Sequence, residues 1–203
     1  MMTFRKSEKS RGAAVARGDS WWSRKAPFCP PVPVLLAVMF AVGAARAEPI
    51  ALLNPGFEDG QTGWRFKDNG ISLVLGEAAH SGKSGRRIND ESPDDGSDLA
   101  CARFVTEPGK KVTASFWARF VEGEGVGVYL RFYKGDGTCL NSRELENEII
   151  KVIPAETRDW QKFELSASVP EEAIEGEIWI RSWSHAIVKA EFDDFGLDQV
   201  SAE

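Results

Sequence analysis

At 203 residues and a formal net charge of −6, the chain has room for one large domain or two small ones. The charge is uneven: residues 48–203 hold 17 Lys and Arg against 29 Asp and Glu, a net −12. That mean field repels nucleic acid and anionic membrane surfaces and makes both unlikely partners for this stretch unless a local basic patch overcomes it.

The opening segment reads as a targeting sequence. Its first 28 residues carry Arg5, Lys6, Lys9, Arg11, Arg17, Arg24 and Lys25 against only Glu8 and Asp19. An apolar run, Val32 to Ala45, follows, interrupted by Pro33 and Gly43 and too short to cross a bilayer comfortably. It ends in Ala45-Arg46-Ala47, a small-residue cleavage pattern. These features predict a signal peptide over residues 1–47 and a secreted or periplasmic destination, with an uncleaved N-terminal anchor as the alternative. The basic region is long for its kind, so either translation begins downstream of Met1 or the extra residues form a disordered tail. The remaining 156 residues are ample for one core, and no linker, repeat or low-complexity block divides them.

From residue 50 onward, short runs of alternating apolar and polar residues are separated by Gly, Pro, Asn and Asp clusters, the pattern of an all-β sandwich or barrel. Ile71–Leu75, Leu99–Val105, Val112–Val121, Gly125–Tyr133, Glu148–Ile153, Gln161–Ser168, Gly176–Ser184 and Val188–Leu197 read as strands. Eight strands suit a two-sheet antiparallel β-sandwich of the jelly-roll kind. Turn chemistry is explicit in Glu107-Pro108-Gly109-Lys110, Lys134-Gly135-Asp136-Gly137 and Val169-Pro170-Glu171-Glu172. Only Ser142–Ile150, with Leu145 and Ile149 four apart, leans helical, capped by Asn141 or Ser142.

Cys29 leaves with the export signal, and Cys101 and Cys139 remain. An oxidising destination permits a disulfide between them; two separate reduced thiols are the other reading.

Strand alternation sorts side chains by face. In Gly125–Tyr133 the apolar set Val126, Val128, Leu130 and Phe132 turns Tyr129, Arg131 and Tyr133 to the other face. In Gly176–Ser184, Ile178 and Ile180 take the core and Trp179, Arg181 and Trp183 face out. In Val112–Phe120, Val112, Ala114, Phe116 and Ala118 leave Thr113, Ser115, Trp117 and Arg119 opposite. Aromatic rings stack on the apolar faces of sugars and guanidinium offers several donors in a fixed fork, so three such strands suit a glycan cleft. Packing of these aromatics under loops or against a neighbour is the competing reading.

The order of certain words along the chain is distinctive. Asn54-Pro55-Gly56-Phe57-Glu58 opens the domain with Trp64 seven residues after Phe57, and Phe192-Asp193-Asp194-Phe195-Gly196-Leu197 closes it. Between them lie Ser81-Gly82-Lys83-Ser84, Pro108-Gly109-Lys110-Lys111-Val112, Ser115-Phe116-Trp117-Ala118-Arg119 and Trp160. Over residues 52–198 this order resembles the carbohydrate-binding modules of families four and nine, with the galactose-binding-like jelly roll. The resemblance implies non-catalytic binding of a glycan chain; separately, a monomer is expected, free of the membrane once the signal is removed. The resemblance also implies buried roles for Trp64 and Trp160, and a structural calcium where the first and last strands meet. The matching residues are Glu58, the loop through Lys83, and Asp193, with Asp194 or Asp59 as alternative carboxylates. Two carboxylates from opposite chain ends plus loop carbonyls suit the six to eight oxygens calcium takes.

Catalysis has little support in the sequence. His80 and His185 belong to no catalytic pattern. The adjacent acids Asp94-Asp95, Glu171-Glu172 and Asp193-Asp194 would point to opposite faces of a strand and so could not flank a glycosidic bond together. A surface or adhesive domain docking a protein partner, and a small carbohydrate-active enzyme, are the alternatives to glycan binding.

Overall fold

Residues 46–201 are described by the computed structural model, so the expected export segment, apart from Arg46 and Ala47, lies outside the described residues. The described chain forms twelve strands: β1 (Glu48–Pro49), β2 (Trp64–Phe66), β3 (Ser72–Leu75), β4 (Gly85–Asp90), β5 (Leu99–Cys101), β6 (Phe104–Val105), β7 (Lys110–Gly123), β8 (Val126–Tyr133), β9 (Ile150–Val152), β10 (Gln161–Ser168), β11 (Glu175–Ser182) and β12 (Val188–Ser201). They make two sheets, β10-β7-β12-β4-β3 with β1 on β12, and β2-β5-β11-β8-β9 with β6 on β11. All pairings are antiparallel. This is the expected two-sheet sandwich.

The core lies between the sheets and follows the alternation. Val112, Ala114, Phe116, Ala118 and Phe120 from β7 meet Val126, Val128, Leu130 and Phe132 from β8 and Ile178 and Ile180 from β11, all essentially inaccessible to water. Each large apolar side chain so buried contributes about 1.5–3 kcal/mol of transfer free energy. Trp64 is core as expected, its ring 4.8 Å from Phe57 and 5.1 Å from Phe195. Trp160 is not: it is only half-buried and lies on the outside of the first sheet.

All eight expected strands occur, Gln161–Ser168 with the same bounds and the others with shifted ends, and Leu99–Val105 is split by the exposed Ala102 and Arg103. Three strands escape the alternation rule. β1 and β2 are too short to show a period, and β4 turns Arg86, Ile88 and Asp90 inward, so charge occupies core-facing positions. The expected helix over Ser142–Ile150 reduces to one 3₁₀ turn, Arg143–Leu145, ended by Glu146 at φ 55°. Neither candidate residue caps it. Asn141 instead ties the loop to β8, accepting from Phe132 N and donating to Leu130 O, both at 2.7 Å. Ser142, though at the N-cap position, makes no side-chain cap bond.

Two of the expected turns form as expected and the third forms one residue further on, over Pro170–Ala173. Lys110 N donates to Glu107 O at 3.2 Å, Gly137 N to Lys134 O at 2.9 Å and Ala173 N to Pro170 O at 3.0 Å. Cys101 and Cys139 are separate thiols: Cys101 Sγ accepts from Ile178 N at 3.1 Å while Cys139 Sγ donates to Asn141 O at 3.1 Å. The bridge reading is thereby corrected.

Candidate functional site

The second sheet carries its polar face outward, and that face divides into two halves. In the first half Glu177 is fully buried and engaged by Arg65 and by the Tyr133 hydroxyl, while Arg103 lies 3.7 Å over the Tyr133 ring and pairs with Glu175 at 3.0 Å. Every charge there has a partner. Burial and the bond to Glu177 push the Tyr133 phenol up to about 12. Tyr133 is therefore a covered, structural side chain and not part of a cleft.

The second half is open. A cleft of about 930 Å³ lies over β8, β9 and β11, lined among others by Tyr129, Arg131, Ile150, Trp179, Arg181 and Trp183. Antiparallel pairing sets Trp179 opposite Tyr129, and their rings meet at 4.9 Å. Both are nearly buried, at 8% and 7% exposed, whereas Trp183 is 40% exposed. Polar atoms fix all three: Trp179 Nε1 donates to Asp98 Oδ1 at 2.7 Å and Trp183 Nε1 to the Tyr129 hydroxyl at 3.2 Å. Arg131 lies 3.3 Å and Arg181 5.2 Å over the Trp179 ring. The floor is thus a fixed aromatic pair with guanidinium over Trp179, and Trp183 is the exposed aromatic surface of the cleft.

Five of the eight expected ligand residues meet here: Tyr129, Arg131, Trp179, Arg181 and Trp183. Trp117 and Arg119 do not, because β7 belongs to the other sheet. Outward from a sheet on the far side of the core, they face the opposite surface of the molecule. Trp117 stacks on His80 at 4.0 Å, and Arg119 lies 4.8 Å over Trp160 and pairs with the buried Glu191 at 2.6 Å. Alternation assigns faces within a strand but is silent on sheet membership, which long-range pairing decides. Arg143, Glu144, Glu148, Ile150, Ser184 and His185 also line the cleft and were not anticipated. Reading Ser142–Ile150 as a helix concealed Arg143 and Glu144, and the strand expected over Glu148–Ile153 was not sorted by face. His185, at φ 84° with Nδ1 2.5 Å from Pro93 O, looked like an ordinary turn residue.

The junction of the chain ends lies on the first sheet. Asn54 organises the opening turn, its side-chain amide donating to Gly60 O at 3.2 Å and Thr62 O at 3.1 Å. Glu58 Oε1 then accepts from Lys83 N at 2.8 Å and Ser84 N at 3.1 Å, and Asp193 Oδ2 from His80 N at 2.7 Å and Ser81 N at 3.1 Å. A register shift in β12 between Asp193 and Gly196, with Asp194 at φ 48°, brings both adjacent acids to this loop. Asp194 meets the His80 ring at 2.6 Å and the Ser81 hydroxyl at 2.7 Å. Opposite orientation of neighbouring acids holds for regular strands, and the bulge overrides it.

These residues satisfy part of what calcium needs. Glu58 and Asp193 each commit one oxygen to loop amides; among the described residues Glu58 Oε2 has no donor and Asp193 Oδ1 accepts only from the adjacent Asp194 N. Burial raises the Asp193 carboxyl above its ordinary range, a penalty a bound cation would relieve. The donor chemistry fits a hard cation with these two carboxylates. No group of three or more His, Cys, Asp or Glu side chains is spaced to hold a metal among the described residues, so a cation here would need further oxygens from loop carbonyls, hydroxyls or water. Lys83 reaches Glu58 by its amide N–H, and a Cβ on Gly76 would lie 3.2 Å from its carbonyl oxygen. Lys83 thus positions Glu58 through its N–H, while its carbonyl oxygen belongs to the same loop.

A family model described as a carbohydrate binding domain, of the family four and nine type, matches residues 51–185. The chain belongs to this carbohydrate-binding family. Among solved structures, this carbohydrate-binding domain is similar to the CBM22-1 xylan-binding domain of Paenibacillus barcinonensis Xyn10C, at 16% identity and TM-score 0.54 over 79% of this chain and 99% of that one. It is similar also to the enzymatically active domain of tailspike protein 4 of bacteriophage CBA120, at 14% identity and TM-score 0.60 over 73% of this chain and 21% of that one. The carbohydrate-binding domain thus spans about a fifth of the tailspike chain. A Stig cyclase from Fischerella sp. TAU shares the fold at 16% identity and TM-score 0.59 over 78% and 100% of the two chains. At these identities the likeness is one of fold. No curated protein matches.

Proposed function

We propose that this carbohydrate-binding domain is an exported, non-catalytic module that holds a glycan chain in the cleft over β8, β9 and β11. The observation that carries the reading is the half-exposed Trp183 beside the rigid Tyr129–Trp179 pair and three arginines. An indole face offers a platform for the apolar face of a sugar ring, and guanidinium groups donate to its hydroxyls. Export rests on the basic start, the apolar run and Ala45-Arg46-Ala47.

Calcium, in this proposal, binds Glu58 and Asp193 at the junction of the chain ends. It neutralises two carboxylates and ties the opening turn to β12, a stabilising role without chemistry.

Native gels cast with neutral and acidic polysaccharides test the binding reading. Retardation of the purified protein by a polysaccharide, abolished by Trp183→Ala, is expected. Equal mobility in every polysaccharide removes the cleft as a glycan site and favours a protein-docking surface. Release of reducing ends or unsaturated products would instead make it an enzyme.

A further inference from the structure

The arginines of the outer faces fall into two groups. Arg65 is held by Glu177, Arg87 by Glu77 and Glu191, Arg103 by Glu175 and Arg119 by Glu191. Arg131, Arg143 and Arg181, which line the cleft, pair with no carboxylate among the described residues. Their freedom has a structural cause. Arg131 stands directly across from Glu177 in the β8–β11 register, but that carboxylate is occupied by Arg65 and Tyr133. Asp98 is likewise occupied, as acceptor for Trp179 Nε1.

A guanidinium stacked on an indole uses its flat face and leaves its N–H edge directed elsewhere. Arg131, 3.3 Å over Trp179, is so arranged, and Arg181 flanks the same ring. Against these three cations the cleft sets Glu144 and Glu148, so it is net positive on a domain whose sequence is net −12 over residues 48–203. A cleft for a neutral chain would expose several aromatic platforms. This one buries Trp179 under arginine and Tyr129 against Trp179, and of the three cleft aromatics only Trp183 is well exposed.

We infer that the cleft selects a carboxylate-bearing glycan, a uronic-acid polymer, with the ring of one sugar against Trp183 and sugar carboxylates taken by the free guanidinium edges of Arg131, Arg181 and Arg143. The inference rests on the cleft being the glycan site. Paired planar N–H···O bonds to carboxylate are the geometry guanidinium favours, and lysine would supply the charge without the fork.

The test compares polygalacturonate and alginate with fully methyl-esterified polygalacturonate, dextran sulfate and a neutral galactan, using the purified protein in affinity gels and calorimetry. Retention by a uronate polymer, weakened at least tenfold by methyl esterification and about tenfold or more by Arg181→Gln, is the expected result. Arg143→Gln, at an exposed turn, gives a second reading that does not disturb the Trp179 stack. Binding of the esterified or neutral polymer as tight as that of the uronate, still lost in Trp183→Ala, overturns the carboxylate assignment and leaves the glycan cleft standing. Retention by dextran sulfate alone, or uronate binding unchanged in both arginine variants, also overturns it. Binding to no polymer overturns cleft and carboxylate together.

Discussion

Arg86 is the most demanding single residue in the fold. It is fully buried, its three guanidinium nitrogens have no hydrogen-bond partner among the described residues, and it lies 5.1 Å from the Phe57 ring and 5.6 Å from that of Phe66. Burial brings its pKa down to about 10, so the folded state carries the cation at a cost. Arg86→Met keeps length and apolar contact without the charge and should stabilise the protein by about 1–3 kcal/mol in urea unfolding; destabilisation of that size would show that the guanidinium is satisfied. Cys101 and Tyr133 behave oppositely. Burial pushes both up to about 12, from ordinary values of 9.0 and 10.0. The folded protein thus keeps protons the unfolded chain loses, and their stabilisation is complete below pH 9 and disappears between about pH 9 and 12. Tyr133→Phe should cost about 1–3 kcal/mol at neutral pH, by depriving buried Glu177 of a donor, and should lose less stability than the parent between pH 10 and 12. An unchanged alkaline slope would contradict the assignment.

At the scale of elements, legibility followed regularity. β7, β8, β10 and β11 are long enough for their alternation to fix which side chains enter the core, and the side chains of β7, β8 and β11 that pack between the sheets match that reading, although Tyr129, Tyr133, Glu177 and Trp179 are covered on the outer face as well. The failures have physical causes. β4 hides its inward face behind Arg86 and Asp90, the spacing of Leu145 and Ile149 imitates a helix where loop bonds from Asn141 and Asn147 dominate, and the β12 bulge reverses one acid. The site was read in part for the same reason: five of its residues came from two regular, adjacent strands, while Trp117 and Arg119 needed knowledge of sheet membership and Arg143 a correct loop. The junction loop depends on Gly82, at φ +64°, where a Cβ would sit 2.2 Å from Glu58 Oε1. Gly82→Ala should therefore cost about 1–3 kcal/mol through backbone strain and displacement of Glu58. A neutral effect would mean that the loop does not hold that carboxylate.

For the whole sandwich, the two proposed sites lie on opposite outer faces: the junction of Glu58 and Asp193 on the β12 side and the open cleft on the β11 side. Their separation by the core predicts independence. Saturating calcium should raise the thermal midpoint by roughly 5–10 °C, equivalent to about 2.7 kcal/mol at a hundredfold excess over Kd. EDTA and Glu58→Gln should each remove that increment; a midpoint indifferent to calcium would leave Glu58 and Asp193 as hydrogen-bond acceptors only. The cleft is the proposed glycan site, and the opposite face supplies its control. Affinity gels of Trp183→Ala beside Trp160→Ala, both carrying one indole truncation but on different faces, decide it. Loss of polysaccharide retardation in Trp183→Ala with retention in Trp160→Ala is the predicted result, and loss in Trp160→Ala with retention in Trp183→Ala would place the glycan on the wrong sheet.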